Sequence, residues 1–270
     1  MSSTDRHLDR RVGRDVFGQD VEAYRSARPE YPPELFTLLQ ARCGLGPGAV
    51  VFEIGPGTGL ATERMLDLGV ASLAAIEPDP RLAEYLQRRG EGREGRLVVH
   101  NQTFEDCELP EATFDMGIAA SSFHWLDPHA ALAKVMRLLK PGGGWAMCWN
   151  VFHDLTGTDR FSNAIRHLFD DVDIPPSFVG DSHYAVEPAD RLRDLTDAGF
   201  AELQFELIRR EFPMSPAQMR ALYSTFSMIR LLPADERQRR LDEMERIAEA
   251  DFNGEVRRSV LTPVYTARKP

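Results

Sequence analysis

Apolar residues run along this chain in two alternating rhythms. Short apolar runs at 50–54, 72–77, 97–100, 114–120 and 145–149 have the length of buried strands. Between them apolar positions recur every three or four residues, which predicts helices over 60–68, 79–89 and 129–139. Such alternation predicts a parallel sheet covered by crossover helices. Two helices precede the first strand. One is marked by Val16, Phe17, Val21 and Tyr24 and ends at Pro29; the other opens at Pro32-Pro33 and runs to Cys43. Leu139-Lys140-Pro141-Gly142-Gly143-Gly144 reads as a helix stop and a glycine turn, with Lys140 solvated at the helix end. A helix over 188–198 stops at Gly199, after which strand patterning resumes through Leu203, Phe205 and Leu207. Helices follow over 216–229 and 234–250, and dense charge at i,i+4 spacing predicts that the second is exposed.

Two stretches lack periodicity. Residues 1–14 are rich in arginine and are expected to be loosely ordered. Residues 150–185 scatter Asn150, His153, Phe161, Phe169, Phe178, His183 and Tyr184 in no sheet-like pattern, and read as a lid over an amphipathic organic substrate.

Composition narrows the function. With 270 residues and 43% hydrophobic content the chain can form one core with an appendage. A net charge of -10 argues against nucleic acid as partner, since such binding rests on basic surface. Cys43, Cys107 and Cys148 are odd in number and lack Cys-x-x-Cys spacing, so they read as packing residues, with no metal site. A charged N-terminus and the lack of any long apolar run predict a cytoplasmic protein without membrane contact.

The chemistry centres on Val50-Val51-Phe52-Glu53-Ile54-Gly55-Pro56-Gly57-Thr58-Gly59, a strand feeding a glycine turn and then a helix N-terminus. Glycines there let a ligand approach the backbone, and the helix start offers unpaired N–H groups. A dinucleotide fingerprint would need glycine where Leu60 stands, so an NAD reading fits poorly. The pattern Glu53-x-Gly55-x-Gly57-x-Gly59 resembles the first motif of class I S-adenosylmethionine-dependent methyltransferases. The resemblance implies that this turn wraps the methionine part of S-adenosylmethionine. Glu77, at the end of the next strand and beside Pro78, is then the ribose ligand.

Further motifs resemble one branch of that family, methyltransferase type 11 and the trans-aconitate methyltransferase-like group. Phe17…Tyr24-Arg25…Arg28-Pro29-Glu30-Tyr31-Pro32 is similar to an N-terminal cap that folds over the cofactor. It implies Tyr24 and Arg28 near the methionine carboxylate; the alternative is that Phe17 and Tyr24 only pin a terminal helix while Arg28 is solvated. Gln102, Thr103 and Phe104 lie where the family contacts adenine, with Gln102 in place of the usual acid. Phe104 either stacks on the base or packs in the core. Ser121-Ser122-Phe123-His124-Trp125, at the end of the fourth strand, matches a Phe-His-Trp motif of the group. This places Ser121 and Trp125 in the cofactor pocket. His124 becomes the candidate catalytic residue, acting as a base or on a substrate carboxylate, or else fastening the loop. Leu-Lys-Pro-Gly-Gly at 139–143 and Thr225-Phe226-Ser227 near the active-site mouth continue the likeness.

The fold so implied is a Rossmann-like, doubly wound α/β sheet of seven mostly parallel strands. Its last strand, 256–267, is antiparallel and pairs with 201–213, and an N-terminal helical cap and helical lid insertions cover it. Residues 1–45 form the cap, 46–150 the cofactor-binding core, and 151–270 the lid and closing strands. The implied activity is methyl transfer to the oxygen or other heteroatom of a small molecule. A trans-aconitate-type carboxyl methyltransferase and a non-catalytic binding protein are the alternatives. Arg160 and Arg166 are the only arginines in 150–185, too few to suit a polycarboxylate.

Overall fold

A computed structural model of the chain describes residues 17–91, 95–152, 159–173, 175–179 and 182–270. The readings for residues 1–14, Val16 and His153 lie outside these described residues.

A 3-10 turn at Phe17–Gln19 leads into α1 (Val21–Ala27) and α2 (Pro33–Cys43), which carries proline at its N-terminus and ends on Gly44 in the left-handed conformation. The expected alternation follows: β1 (Val50–Ile54), α3 (Leu60–Asp67), β2 (Ser72–Ile76), α4 (Pro80–Arg89), β3 (Leu97–His100), β4 (Phe114–Ala120), α5 (Pro128–Leu138) and β5 (Leu139–Cys148). Beyond it come α6 (Arg160–Ile165), the hairpin strands β6 (Phe178–Val179) and β7 (Ser182–His183), α7 (Pro188–Asp197), β8 (Ala201–Met214), α8 (Pro216–Ser224), α9 (Ser227–Arg230), α10 (Ala234–Asp251) and β9 (Val256–Arg268). The large sheet has seven strands in the order β3-β2-β1-β4-β5-β9-β8, with β9 antiparallel to both neighbours and the other pairings parallel.

Alternation along each strand divides the core into two layers. Val51, Leu73 and Met116 pack with Leu35, Leu39 and Met65 on one face. Phe52, Trp145 and Met147 pack with Phe123, Leu132 and Val135 on the other. A third cluster, Phe161, Met219, Leu222, Met244, Ile247 and Val260, fills a roof built from α6, α8, α10 and the first half of β9.

Four expectations are corrected. The glycine turn expected at 139–144 is already strand, because β5 pairs with β4 from Leu139 across a register shift between Phe114 and Met116. Lys140 is not merely solvated, for its Nζ lies 2.7 Å from Asp115 Oδ1, while Asp115 Oδ2 accepts from the Val50 N–H. The helix expected over 216–229 breaks at Thr225-Phe226. α10 turns Leu241, Met244, Ile247 and Ala248 into the roof, so only its opposite face is exposed.

At Gly144 the end of α2 lies close against the sheet. A Cβ there would lie 2.5 Å from the Cys43 Cα and carbonyl oxygen, both backbone atoms that cannot step aside. Gly144→Ala is therefore expected to cost about 1–3 kcal/mol, the range for overpacking a tight core. Urea unfolding would measure it, and an unshifted midpoint would show that α2 moves freely.

Candidate active site

Strand β1 ends in the glycine turn, where Gly55, Gly57 and Gly59 take φ of +62°, +59° and +84°. Side chains resist these angles, but the three positions differ in surroundings. A Cβ on Gly55 would meet Ser122 at 2.7 Å and one on Gly59 would meet Leu86 at 2.6 Å, so those two glycines serve packing. A Cβ on Gly57 would meet nothing within 4 Å. That open side faces a cavity of about 840 Å³.

Of the predicted residues, Tyr24, Arg28, Glu53, Gly55, Gly57, Glu77, Pro78, Phe104, Ser121, His124 and Trp125 line this cavity. Gly59, Gln102 and Thr103 do not: Gly59 lies behind the turn under Leu86, Gln102 is exposed, and Thr103 Oγ1 bonds Asp106 Oδ2 at 2.7 Å. Glu105 lines the cavity in their stead. Phe104 is buried, stacks on Phe52 at 6.3 Å and receives Lys134 Nζ at 5.0 Å from its ring centroid, so it packs in the core while showing the cavity one edge.

Glu77 is buried beside the turn. Its Oε2 accepts from Gly57 N–H at 2.9 Å and its Oε1 from Asp79 N–H at 3.0 Å. Asp79 also accepts from Gly18 N–H at 3.2 Å, clipping the Phe17–Gln19 cover to the start of α4. Glu53 is buried deeper; its Oε2 accepts from Thr62 Oγ1 at 2.5 Å, and its Oε1 has no partner. Burial raises both carboxyls to about 7, against the pull of these hydrogen bonds, and each carboxylate also feels a neighbouring acid.

That has a measurable consequence. An unfolded glutamate titrates near 4.3, so between about pH 4.5 and 7 the folded chain holds protons that the unfolded chain has lost. The stability present below the unfolded value is then lost as pH rises through about 7, on the order of 3 kcal/mol for each carboxyl. The depressed carboxyls of Asp79 and Asp115 act at more acid pH and do not offset it. Thermal unfolding of the ligand-free protein should show Tm falling from pH 5.5 to 8; a rising Tm would refute the buried pair.

The Arg28 guanidinium lies among three rings, 4.9 Å from the Phe226 centroid, 5.0 Å from Tyr24 and 5.7 Å from Phe152. One Nη donates to Thr225 O at 3.3 Å, and Nε is buried without a partner. Phe17 packs edge-on against Tyr24 and Trp125, each at 5.8 Å, closing the cavity from the N-terminal side. Next to the turn, at the end of β4, Ser121, with φ +59°, joins Tyr31 OH at 2.8 Å and accepts from the Asn150 N–H at 3.3 Å. His124 takes the Trp149 indole N–H on its Nδ1 at 3.0 Å. Tyr31, Thr58, Asn150, Phe152 and Phe226 were not singled out as cofactor or catalytic residues from the sequence, although Thr58 sits inside the glycine motif and Tyr31 inside the cap motif.

The methyltransferase-domain family matches residues 52–147, the segment that holds the turn, Glu77 and His124. That segment is similar to the methyltransferase domain of class I S-adenosylmethionine-dependent enzymes. An uncharacterized methyltransferase of Mycobacterium bovis is 32% identical over 146 residues, 53% of this chain and 56% of that protein, so the chain spans little more than half of that relative. An uncharacterized methyltransferase of Schizosaccharomyces pombe is 24% identical over 263 residues, covering 96% and 98% of the two chains. The solved structure of a putative type II methyltransferase from Anaeromyxobacter dehalogenans superposes with a TM-score of 0.66 at 20% identity, covering 90% of this chain and 98% of that one. At that identity the likeness is one of fold.

S-adenosylmethionine is the cofactor of class I methyltransferases, and the cavity has groups to suit it. Three buried polar atoms on its lining residues lack partners, Glu53 Oε1, Thr58 Oγ1 and Arg28 Nε. A ligand with an ammonium, a carboxylate and hydroxyls offers each of them a complement. The open side of Gly57 leaves room for it beside the backbone.

Among the described residues no helix is long and apolar enough to cross a membrane, and no cluster of metal-ligating side chains occurs.

Proposed function

We propose that this chain methylates a heteroatom of a small organic molecule, oxygen being the favoured one. The observation that carries the reading is that the glycine turn and Glu77 at one end, and an aromatic roof at the other, share one cavity of about 840 Å³. Small-molecule sites run to about 300–1,000 Å³, so a cofactor and an acceptor can share it. When bound, S-adenosylmethionine supplies an electrophilic methyl group on sulfur.

The chain's own residues then hold and orient. Glu77 grips the ribose hydroxyls, Arg28 and Tyr24 hold the methionine carboxylate, and Glu53 takes the ammonium end. Trp125 and Phe17 exclude water, which favours a near-attack arrangement. Phe152, Phe169, Tyr223 and Phe226 wall the acceptor end and suit an apolar or aromatic body. Among the described residues the cations lining the cavity are Arg28, on the cofactor side, and the exposed Arg166, which disfavours a polycarboxylate of the trans-aconitate type. In the same reading residues 1–45 are a cap, 46–150 the binding core and 151–270 lid and closing strands, in a cytoplasmic protein.

Calorimetry with S-adenosylmethionine, followed by release of S-adenosylhomocysteine with a panel of phenols, amines and carboxylates, tests the reading. Absence of cofactor binding would overturn it, and binding without turnover of any acceptor would favour a non-catalytic binding protein.

A further inference from the structure

Of the 32 lysines and arginines in the chain only Lys134, Lys140 and Lys269 are lysines. Lys134 directs its donors at a single turn. Its Nζ donates to the backbone carbonyls of Phe104 at 2.6 Å, Glu105 at 3.1 Å and Cys107 at 2.6 Å, and lies 5.0 Å from the centre of the Phe104 ring. An ammonium carries three N–H groups on one nitrogen, and here three oxygens of one turn converge on them. Arginine would not serve, because its planar fork spreads its donors instead of gathering them at a point.

The helix that carries Lys134 is firmly set. Asp127 Oδ1 caps α5 by accepting from the Ala130 N–H at 2.9 Å, and Ala131, Leu132, Val135 and Leu138 pack in the same cluster as Phe104 and Cys107. From that helix the ammonium holds the turn without Lys134 itself lining the cavity, whereas Phe104 and Glu105 do line it. The other end of the segment is tied as well: Asn101 Nδ2 donates to Glu77 O at 2.9 Å and to Pro78 O at 3.0 Å, joining the end of β3 to the end of β2. Two side chains thus brace the cavity wall that follows β3.

Strand order gives the brace a purpose. β1, β2 and β3 are neighbours in the sheet; the glycine turn follows β1, Glu77 follows β2, and the Phe104-Glu105 wall follows β3. A nucleoside laid across these strand ends with its ribose on Glu77 and its amino-acid part at the glycine turn presents its base to the wall after β3. Resting on the S-adenosylmethionine reading above, we infer that Lys134 is a positioning residue for the cofactor's base, acting through the three carbonyls of the turn at 104–107. Glu77 then grips the ribose, while α5, a helix behind the cavity wall, decides how well the base fits.

Calorimetry of Lys134→Met with S-adenosylhomocysteine and with S-ribosylhomocysteine, the same ligand without its base, tests the inference. Expected is a dissociation constant for S-adenosylhomocysteine raised about tenfold, the order of one lost hydrogen bond to a charged group, with the constant for S-ribosylhomocysteine unchanged. Lys134→Arg, which keeps the charge, should show the same selective loss, and it carries the comparison if the methionine variant fails to fold. Equal losses for both ligands would mean a site loosened as a whole, and no loss for either would mean a turn that holds itself; each result overturns the inference. The wild-type protein gives a check free of ligand. Nitrogen-15 NMR should show three lysine ammonium groups, assigned with Lys140→Arg and Lys269→Arg, and the Lys134 protons should exchange with water most slowly; exchange as fast as at the other two would overturn the brace. Wild-type protein that does not bind S-adenosylhomocysteine removes the methyltransferase reading, whereas binding indifferent to Lys134 removes only this inference.

Discussion

Glu77→Ala is expected to weaken S-adenosylmethionine binding ten- to hundredfold. Hydrogen bonds to a charged group contribute about 1.5–3 kcal/mol, and Glu77 is the carboxylate at the end of β2 beside the open face of Gly57. Its effect reaches beyond its own contact, because Oε2 holds the Gly57 N–H and Oε1 the Asp79 N–H, and Asp79 in turn holds the Gly18 cover. Since burial raises its carboxyl to about 7, wild-type affinity should rise with pH from 6 to 8 as the ionised form is populated. The alanine variant should lose part of that limb and keep the part due to Glu53. Calorimetry at both pH values checks this, and an unchanged dissociation constant would move the ribose elsewhere. Gly57→Val should abolish binding in a folded protein, because φ of +59° strains valine and its side chain would project into the cavity.

Arg258→Met carries the largest expected cost in stability, about 3–5 kcal/mol, as for removal of one partner from a buried ion pair. Arg258 is 1% exposed on β9, and its guanidinium bonds Asp159 Oδ2 at 2.9 Å, Ser162 Oγ at 2.8 Å and Phe152 O at 2.5 Å. Asp159 also caps α6 through the Ser162 N–H at 2.7 Å. One side chain thus fastens the first roof helix to the sheet. Denaturant unfolding should show the loss, and hydrogen exchange should show it unevenly. Protection is expected to drop over 160–169 and to persist in β1 and β4; uniform loss would mean that the roof has no fastening of its own.

The glycine-turn end of the cavity was legible because its information is local. The glycine spacing, the strand before it and Glu77 lie in one β–α–β unit, where chain length alone brings the acid to the turn. The cavity wall after β3 was less legible: Gln102 and Thr103 differ from Glu105 only by the course of a turn, which sequence pattern does not encode. Tyr31, Asn150 and Phe226 come from distant parts of the chain, and only the closed sheet brings them to the cavity. For Leu139–Gly144, pairing of the two end residues with β4 drew the segment into the strand, while the proline and glycines between them leave the ladder, with Gly142 at φ +76°. In α10 a dense charge pattern drew notice from the Leu241, Met244 and Ile247 stripe that the roof buries.

The position of β9 between β5 and β8 has a consequence for biosynthesis. Strand β8 leaves the ribosome before the single strand with which it pairs in the sheet. Until β9 follows, its backbone N–H and C=O groups from Ala201 to Met214 have no ladder, and the far edge of β5 stands open beside it. The nascent chain must therefore keep two unsatisfied edges apart for the whole time that α8, α9 and α10 are being made, a window in which a holdase chaperone has something definite to cover.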